Sequence, residues 1–218
     1  MERTIRVTGR GKLSVHPDTT RLLLNLEGLE KNYDAALRLS AEKTGKLRNT
    51  LEKLGFDRKD LKTRHFSVDA DYESYLDKQD NWKKKFRGYR FTHGMKVEFP
   101  SDNDRLGKIL YAIGKCEAKP EFRLEYTVSD PGAAKDALLR KAVADSRAKA
   151  ELLTEAAGTV LGELQTIDYS WGELEFVTRP VEQLYCSEVD AACPGYAMDI
   201  EPEDIDVTDT VTVVWQLR

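Results

Sequence analysis

The sequence predicts an α+β protein in which mostly antiparallel sheet is packed by two long helices and one short helix. Three patterns lead to this prediction. Amphipathic stretches at residues 32–54 and 130–158 indicate the two long helices, and a shorter one follows residue 100. Alternating apolar and polar residues between them are typical of half-buried strands. A strand followed directly by a helix occurs twice, once in each half of the chain.

The clearest element is the helix predicted from Asp130 to Gly158. Asp130 is suited to cap the first amides, Pro131 is tolerated in the first turn, and Gly158 is suited to end the helix. Its predicted core stripe comprises Leu138, Leu139, Ala142, Val143, Ala150, Leu153, Ala156 and Ala157. Ser146 and Lys149 interrupt this stripe. Lys149 is either a desolvated reactive amine or, as favoured here, a lysine that pairs with Asp145 one turn earlier.

The first half begins with alternating residues from Thr4 to Val15, interrupted by Gly9-Arg10-Gly11. We expect these glycines to form a bulge or kink in an edge strand. A phosphate loop is not favoured, because another strand follows where a helix would be needed. A second strand spans residues 20–28, and Asn32 is expected to cap a helix that Gly55 ends. Its predicted buried side comprises Ala36, Leu39, Lys43, Leu47, Leu51 and Leu54.

Residues 61–75 and 86–99 predict a long hairpin with a loose tip, QDNWKKK. Lys83, Lys84, Lys85 and Arg87 are mixed with aromatic residues there, a combination suited to anionic lipid or stacked bases. A charged tip that keeps the hairpin edge soluble is the favoured interpretation.

The second half begins with a short helix, for which Ser101 and Asp104 are a capping-box-like start. Residues 121–128 predict a strand that leads into the long helix, and residues 161–171 predict another. Residues 172–203 have no periodicity and predict an irregular excursion, either functional or poorly ordered. Residues 205–217 then predict a final strand zipped into the sheet.

Composition narrows the possible functions. The 218 residues carry a net charge of -4, with acids and bases interspersed, which argues against nucleic acid as the main partner. No apolar run is long enough to span a membrane, and the first residues lack the apolar region of a secretory signal. We therefore expect a cytoplasmic protein, or a periplasmic one if a signal was removed. Cys116, Cys186 and Cys193 are expected to be reduced, with a Cys186–Cys193 bridge as the alternative.

Catalytic signatures do not stand out in the sequence. His16, His65 and His93 lack metal-ligand spacing, and neither a GxSxG elbow nor a GxxxxGK[ST] loop is present. Acidic pairs such as Asp57 with Asp60 are expected at the solvated surface. No catalytic residue, cofactor or metal site is therefore predicted.

Taken together, the motifs resemble the SIMPL-domain family over nearly the whole chain. The matching blocks are I-x-V-x-G-x-G from Ile5 with Pro17-Asp18, an Asp-Leu-x-Thr turn at Asp60, Gly-Tyr-Arg at Gly88, and Ser-Asp-Pro at Ser129. They continue with Ala-x-x-Asp-Ser-Arg-Ala-Lys-Ala from Ala142 and Ala-Gly-x-x-Leu-Gly from Ala157. Their order and spacing, rather than any one motif, carry the resemblance.

The resemblance implies a single domain over residues 1–218, with similar halves at about 1–115 and 116–218, an α+β fold and a tendency to self-associate. Bacterial relatives are mostly envelope proteins linked to stress responses, and an animal relative is named for binding a kinase. Arg147 and Lys149 match the family's basic pair and are carried over as candidate core ion-pair or interface residues.

We therefore expect a non-enzymatic protein that forms a homo-oligomer or binds a protein partner through exposed sheet edges and the 172–203 segment. The alternative is a small-ligand-binding domain or enzyme, with a pocket between the long helix and the sheet near Lys149.

Overall fold

The computed structural model describes residues 3–77, 80–169, 174–178 and 200–218, and the fold class agrees with the prediction. Two mostly antiparallel sheets are packed by two long helices and one short one. The elements of the described residues are β1 (Thr4–Val15), β2 (Thr19–Glu30), α1 (Tyr33–Glu52), β3 (Lys62–Leu76), β4 (Trp82–Pro100), α2 (Asn103–Gly114), β5 (Glu121–Thr127), α3 (Pro131–Ala156), β6 (Leu161–Asp168) and β7 (Ile205–Leu217).

These elements divide into two compact units. Unit 1 contains residues 3–18, 127–169, 174–178 and 202–218, and unit 2 contains residues 19–126 and 200–201 among those described. Unit 1 holds the sheet β1-β7-β6 and α3, while the sheet of unit 2 has the order β3-β4-β2-β5 and packs α1 and α2. Strand β5 leads into α3 as predicted, but the two elements belong to different units.

Helix α3 begins and ends where the sequence predicts. The Asp130 side chain accepts a hydrogen bond from the Ala133 amide at 2.9 Å, and Gly158 has a φ of +67° just beyond the helix. The buried face is a straight four-residue repeat of mostly small side chains: Leu138, Ala142, Ser146, Ala150 and Thr154.

The predicted stripe of α3 was too broad, and Ser146, the polar residue that interrupts it, is part of the buried face. This serine is fully buried at the centre of the repeat, where its hydroxyl donates to the Val143 carbonyl at 2.8 Å. Leu153, predicted on the core side, is 51% exposed. Small residues line the contact because the helix lies very close to its strand.

That close approach explains Gly9 and Gly11, and the predicted bulge is wrong. Strand β1 pairs with β7 in unbroken register from Thr4 to Val15. A Cβ added to Gly9 would lie 2.5 Å from the Ser146 amide nitrogen, and one added to Gly11 would overlap the Leu138 carbonyl oxygen. The two glycines therefore seat α3 on β1.

Strand β7 is the centre of the unit 1 sheet, so the predicted zipped-in position of the final strand is confirmed. Val211 and Val213 are buried beneath α3, and Phe176 is buried beside Ile205 in a second cluster of the same unit. Val177 forms a bridge with Thr127. Apart from residues 174–178 and 200–203, the predicted irregular excursion lies outside the described residues, as do Cys186 and Cys193.

The core of unit 2 lies between the four-stranded sheet and helices α1 and α2. Leu22, Leu24 and Leu26 of β2 point into it, as the alternation predicts, and Phe91, Met95 and Val97 come from β4. Cys116 is buried there as a free thiol.

The ends of α1 and α2 differ in detail from the prediction. Asn32 stands at the start of α1 but forms no side-chain capping bond, and Gly55 follows the helix with a φ of +85°. Asp102, rather than Ser101, caps α2 by accepting from the Arg105 amide at 3.0 Å. The Ser101 hydroxyl instead bonds Thr20 at 3.2 Å.

The predicted hairpin is present as β3 and β4, but its tip is shorter than expected. Strand pairing continues to Leu76 opposite Trp82, so the WKKK stretch is strand rather than loop. Two bulges, between Thr63 and His65 and between Asp71 and Tyr72, interrupt the register.

Candidate interaction surfaces

The outer edge of β1 is blocked by side chains of α3. The Asp145 carboxylate accepts a hydrogen bond from the Arg10 amide at 2.7 Å and a second from the Lys149 ammonium at 2.6 Å. These bonds hold the pKa of Asp145 below its usual value, the lysine contributing most. Lys149 therefore pairs with Asp145, as the favoured interpretation expected.

Two lysines of α3 also reach carbonyl groups of the same edge. Lys149 Nζ lies 3.4 Å from the Thr8 carbonyl oxygen, and Lys141 Nζ lies 3.3 Å from the Lys12 carbonyl oxygen. Thr8, Arg10 and Lys12 alternate along β1, so their backbone groups face away from β7 together. Together with Asp145, the lysines occupy the groups that an added strand would need.

Both residues of the basic pair lie at the surface of unit 1. The Lys149 side chain is 46% exposed, and that of Arg147 is 67% exposed and pairs with Glu151 at 2.9 Å. A desolvated, reactive amine does not fit this exposure of Lys149. An interface role for either residue stays a prediction.

The outer edge of β3 is the contrasting case. Strand β3 spans 15 residues at one side of the unit 2 sheet, and no described strand pairs with its outer side. Its side chains are mostly exposed. An exposed edge presents unpaired backbone groups to which another strand can add, although the bulge after Thr63 and the charged side chains of β3 partly protect this one.

Beyond β2, the hairpin continues as a two-stranded ribbon, which we define as Asp71–Leu76 of β3 and Trp82–Gly88 of β4. Pairing of β2 with β4 stops at Glu30 opposite Tyr89, whereas β3 and β4 remain paired to Leu76 and Trp82. No described strand of the sheet flanks the ribbon on the β2 side. Gly88, with a φ of +153°, stands at the base, where a Cβ would overlap the Glu30 carbonyl oxygen.

One side of the ribbon is apolar and exposed, and we call it the ribbon face: Tyr72, Leu76, Trp82 and Phe86. These residues form two directly opposed pairs, Tyr72 with Phe86 and Leu76 with Trp82. Their exposures are 54%, 51%, 72% and 45% in sequence order. Together they present on the order of 400 Å² of largely apolar surface, a size that commonly marks an interaction site.

Ring contacts join the ribbon face to the base of helix α1. Tyr72 and Phe86 meet edge to face with centroids 5.6 Å apart, and Phe86 contacts Tyr89 at 5.4 Å. Tyr89 in turn contacts Tyr33, the first residue of α1, at 5.6 Å. The face is therefore a preordered aromatic row, so binding to it requires little side-chain ordering.

Of the four cations predicted to contact an anionic surface, two already lie close to carboxylates of the hairpin. Lys83 pairs with Asp77 at 2.8 Å, and Arg87 lies 3.9 Å from Asp71. Lys84 and Lys85 form no ion pair within 4.0 Å in the described part of the chain. Lys84 shares the ribbon face, whereas Lys85 stands opposite Glu73 on the other side.

His93, one of three histidines without metal-ligand spacing in the sequence, is a buried polar residue. It is 8% exposed, and its ring nitrogens bond the hydroxyls of Thr44 at 3.0 Å and Thr63 at 2.9 Å. Burial, and then the charge of Arg48, lower the pKa of His93. The neutral ring thus joins α1, β3 and β4. Its partners lie far from it in the sequence, so local sequence patterns gave no sign of this role.

Comparison with known proteins finds a family model that matches nearly the whole chain. The family model SIMPL, described as a protein of unknown function (DUF541), matches residues 5–215. None of the described helices is both long and apolar enough to cross a membrane.

Two relatives are 26 kDa periplasmic immunogenic proteins of Brucella melitensis and Brucella abortus. Each is 25% identical over 215 residues, covering 98% of this chain and 84% of the relative. Among solved structures, the regulatory subunit of aspartate kinase from Thermus flavus aligns over 97% of this chain and 89% of its own. Its identity is 10% and its TM-score 0.17, and this likeness supports no argument about function.

Proposed function

The chain belongs to the SIMPL family, and we propose that it is a non-enzymatic, self-assembling protein of the cell envelope that acts through protein–protein contacts. We propose that the primary contact is made by the β3 edge together with the ribbon face. The periplasmic names of the Brucella relatives support the envelope location. The stress-related role is proposed from the family resemblance.

The observation that carries this proposal is the contrast between two sheet edges. The β1 edge is occupied by Lys141, Asp145 and Lys149, which is a way proteins prevent edge-to-edge association. The β3 edge has no such cover among the described residues, and it runs into an exposed apolar face. A protein that protects one edge and leaves a longer one open is suited to associate through the open one.

The area that a stable interface buries favours an interface formed by the β3 edge and the ribbon face together. A stable interface buries about 800 Å² on each partner, roughly twice what the ribbon face offers. Pairing along the edge of β3 supplies further area and backbone hydrogen bonds. The ribbon face alone would give only a weak association.

Charge along β3 favours antiparallel pairing with a second copy. Lys62 and Arg64 lie near its start, and Asp69 and Glu73 lie in its second half. None of the four forms an ion pair within 4.0 Å in the part of the chain that the structure describes. Antiparallel pairing that sets Lys62 opposite Glu73 of the second copy, centred between Ser67 and Val68, brings the basic end of each copy toward the acidic end of the other, whereas parallel, in-register pairing opposes like charges.

A charge swap tests this arrangement. Lys62→Glu places acid opposite acid at both ends of a two-fold interface, so we expect the dissociation constant of the assembly to rise several-fold. Adding Glu73→Lys restores opposite charges and should recover the assembly. Sedimentation velocity of the three proteins measures this.

Arg140→Gln, on the exposed side of α3, is the matched control and should assemble like the parent. Assembly that is unchanged in Lys62→Glu, or not recovered in the double variant, would contradict antiparallel β3 pairing. A parent chain that stays monomeric at high concentration would contradict self-assembly itself.

The alternative of a ligand pocket between α3 and its sheet has less support. The contacts at Gly9 and Gly11 bring helix and strand backbones together and fill the space between them. Lys149 is engaged with Asp145 and Thr8 at the side of this contact. A cavity that favours ligand binding lies instead in unit 2.

A further inference from the structure

A cavity of about 300 Å³ lies on the face of the unit 2 sheet that points away from α1 and α2. Every strand of this sheet contributes to its lining, through Leu23, Asn25, Arg64, Gly94, Glu121 and Arg123 among others. The volume is at the lower end of the range of small-molecule sites. It therefore suits a compact ligand.

The cavity is centred on a glycine, which has no side chain. Gly94 stands in β4 between Asn25 of β2 and His65 of β3. A Cβ there would meet only ordinary contacts, the nearest being His65 Cβ at 3.7 Å, and its φ does not require glycine. The backbone thus tolerates a larger residue at Gly94, and the missing side chain leaves room above the sheet.

Several charged residues on this face form ion pairs. Arg21 pairs with Glu98 at 2.6 Å, and Lys96 bonds the same carboxylate at 3.0 Å. Farther along the face, Arg90 pairs with Asp71 at 3.1 Å. Ion pairs therefore flank the cavity on both sides, while Lys62 and Asp69 on the same face form none within 4.0 Å among the described residues.

Arg64 and Arg123 are the two cations that line the cavity, and neither has an ion-pair partner within 4.0 Å in the described residues. They come from β3 and β5, the two outer strands, and line the same cavity. A guanidinium offers paired donors that match a carboxylate or phosphate. Glu121 is the acid in the lining, so the cavity keeps an excess of positive charge.

We propose that this cavity binds a small organic carboxylate, whose charged group lies between Arg64 and Arg123 and whose apolar part rests on Leu23 above Gly94. Leu23 is half-buried and supplies an apolar wall. The carboxylate of Glu121 disfavours a second anionic group on the ligand. Binding here goes beyond the proposed self-assembly and does not depend on it.

The test uses benzoate as the probe, with benzamide as its neutral counterpart and inorganic phosphate as an anion without an apolar part. We expect benzoate to give saturable amide shifts at Asn25 and Gly94 in two-dimensional NMR, and benzamide to give none that saturate. Weaker binding of phosphate than of benzoate would support the role of Leu23, and tighter binding would overturn the apolar part of the proposal.

Variants separate the site from unspecific binding. Arg64→Gln and Arg123→Gln should each weaken benzoate binding about tenfold or more, because each removes a charge-assisted bond. Gly94→Val should abolish binding by filling the cavity, and Arg140→Gln in unit 1 should leave binding unchanged. Since both arginines are at the surface, their variants keep the proposal testable even if Gly94→Val folds poorly.

The proposal would be overturned if both arginine variants bound benzoate with the affinity of the parent chain. Saturable binding of benzamide with the affinity of benzoate would overturn it as well. Sedimentation of Arg123→Gln, whose residue lies on β5 and not on the β3 edge, reports assembly separately, so loss of benzoate binding with assembly intact distinguishes the two proposals.

Discussion

Replacing Gly9 by alanine should destabilise unit 1, because it forces a methyl group into the contact between β1 and α3. The added Cβ would lie 2.5 Å from the Ser146 amide nitrogen and 2.7 Å from its Cβ. Both atoms belong to a buried, central turn of the helix, so the helix itself must move. Overpacking of this kind costs about 1–3 kcal/mol in the free energy of unfolding. A cost of that size lowers the melting temperature by about 2–4 °C per kcal/mol in a protein of this length.

Gly45→Ala is the matched control. Gly45 lies inside α1, and a Cβ there meets no atom within 4 Å. The same chemical change should therefore stabilise the protein, by about 0.5–1 kcal/mol from helix propensity. Urea unfolding followed by circular dichroism measures both variants, and hydrogen exchange locates the effect in β1 and α3. If Gly9→Ala unfolds within about 0.5 kcal/mol of the parent, the close helix–strand contact is refuted.

Three further predictions follow from the polar contacts. Below about pH 6.5 the unfolded chain binds a proton at His93 more readily than the folded chain, so the stability of the fold should fall as pH drops. His93→Gln should lessen this fall, measured as the urea midpoint at each pH. An unchanged dependence of the midpoint on pH would refute the burial of a neutral His93. Asp145→Ala should lower the urea midpoint more than Lys149→Met, since it also leaves the Arg10 amide without its acceptor; the reverse order would refute the arrangement. Binding of the ribbon to anionic vesicles should weaken as the salt concentration rises, and it should be weaker in the double variant Lys84→Gln/Lys85→Gln. Binding that is absent or insensitive to salt would refute this contact.

Local signals in the sequence were sufficient for the helices and most strands. Asp130 and Gly158 mark both ends of α3 because capping and left-handed backbone involve only neighbouring residues. The alternation in β2 identifies its buried face for the same reason. The sequence marks Ser146 only as a polar interruption of the core stripe; its burial is explained by a hydroxyl that bonds its own helix and by a small size that fits the helix–strand contact.

The candidate surfaces depend on contacts between distant segments, which the sequence does not display. The glycines of β1 looked like a bulge because the helix that requires them lies far along the chain. Trp82 looked like part of a loop because its strand partner, Leu76, lies across a turn rich in polar residues. Alternation of Trp82, Lys84 and Phe86 was the available signal. The cavity combines four strands, so pairing order had to be known first.

In the proposed assembly, exposed surfaces of the β3–β4 hairpin hold copies of this chain together. The molar mass measured by light scattering after size-exclusion chromatography, for the parent chain and for Leu76→Ser/Trp82→Ser, tests this directly. We expect a multiple of the monomer mass for the parent and a shift toward monomer for the variant, whose folded core is unaffected since both side chains are exposed. A monomeric parent, or an assembly equally stable in the variant, would contradict it.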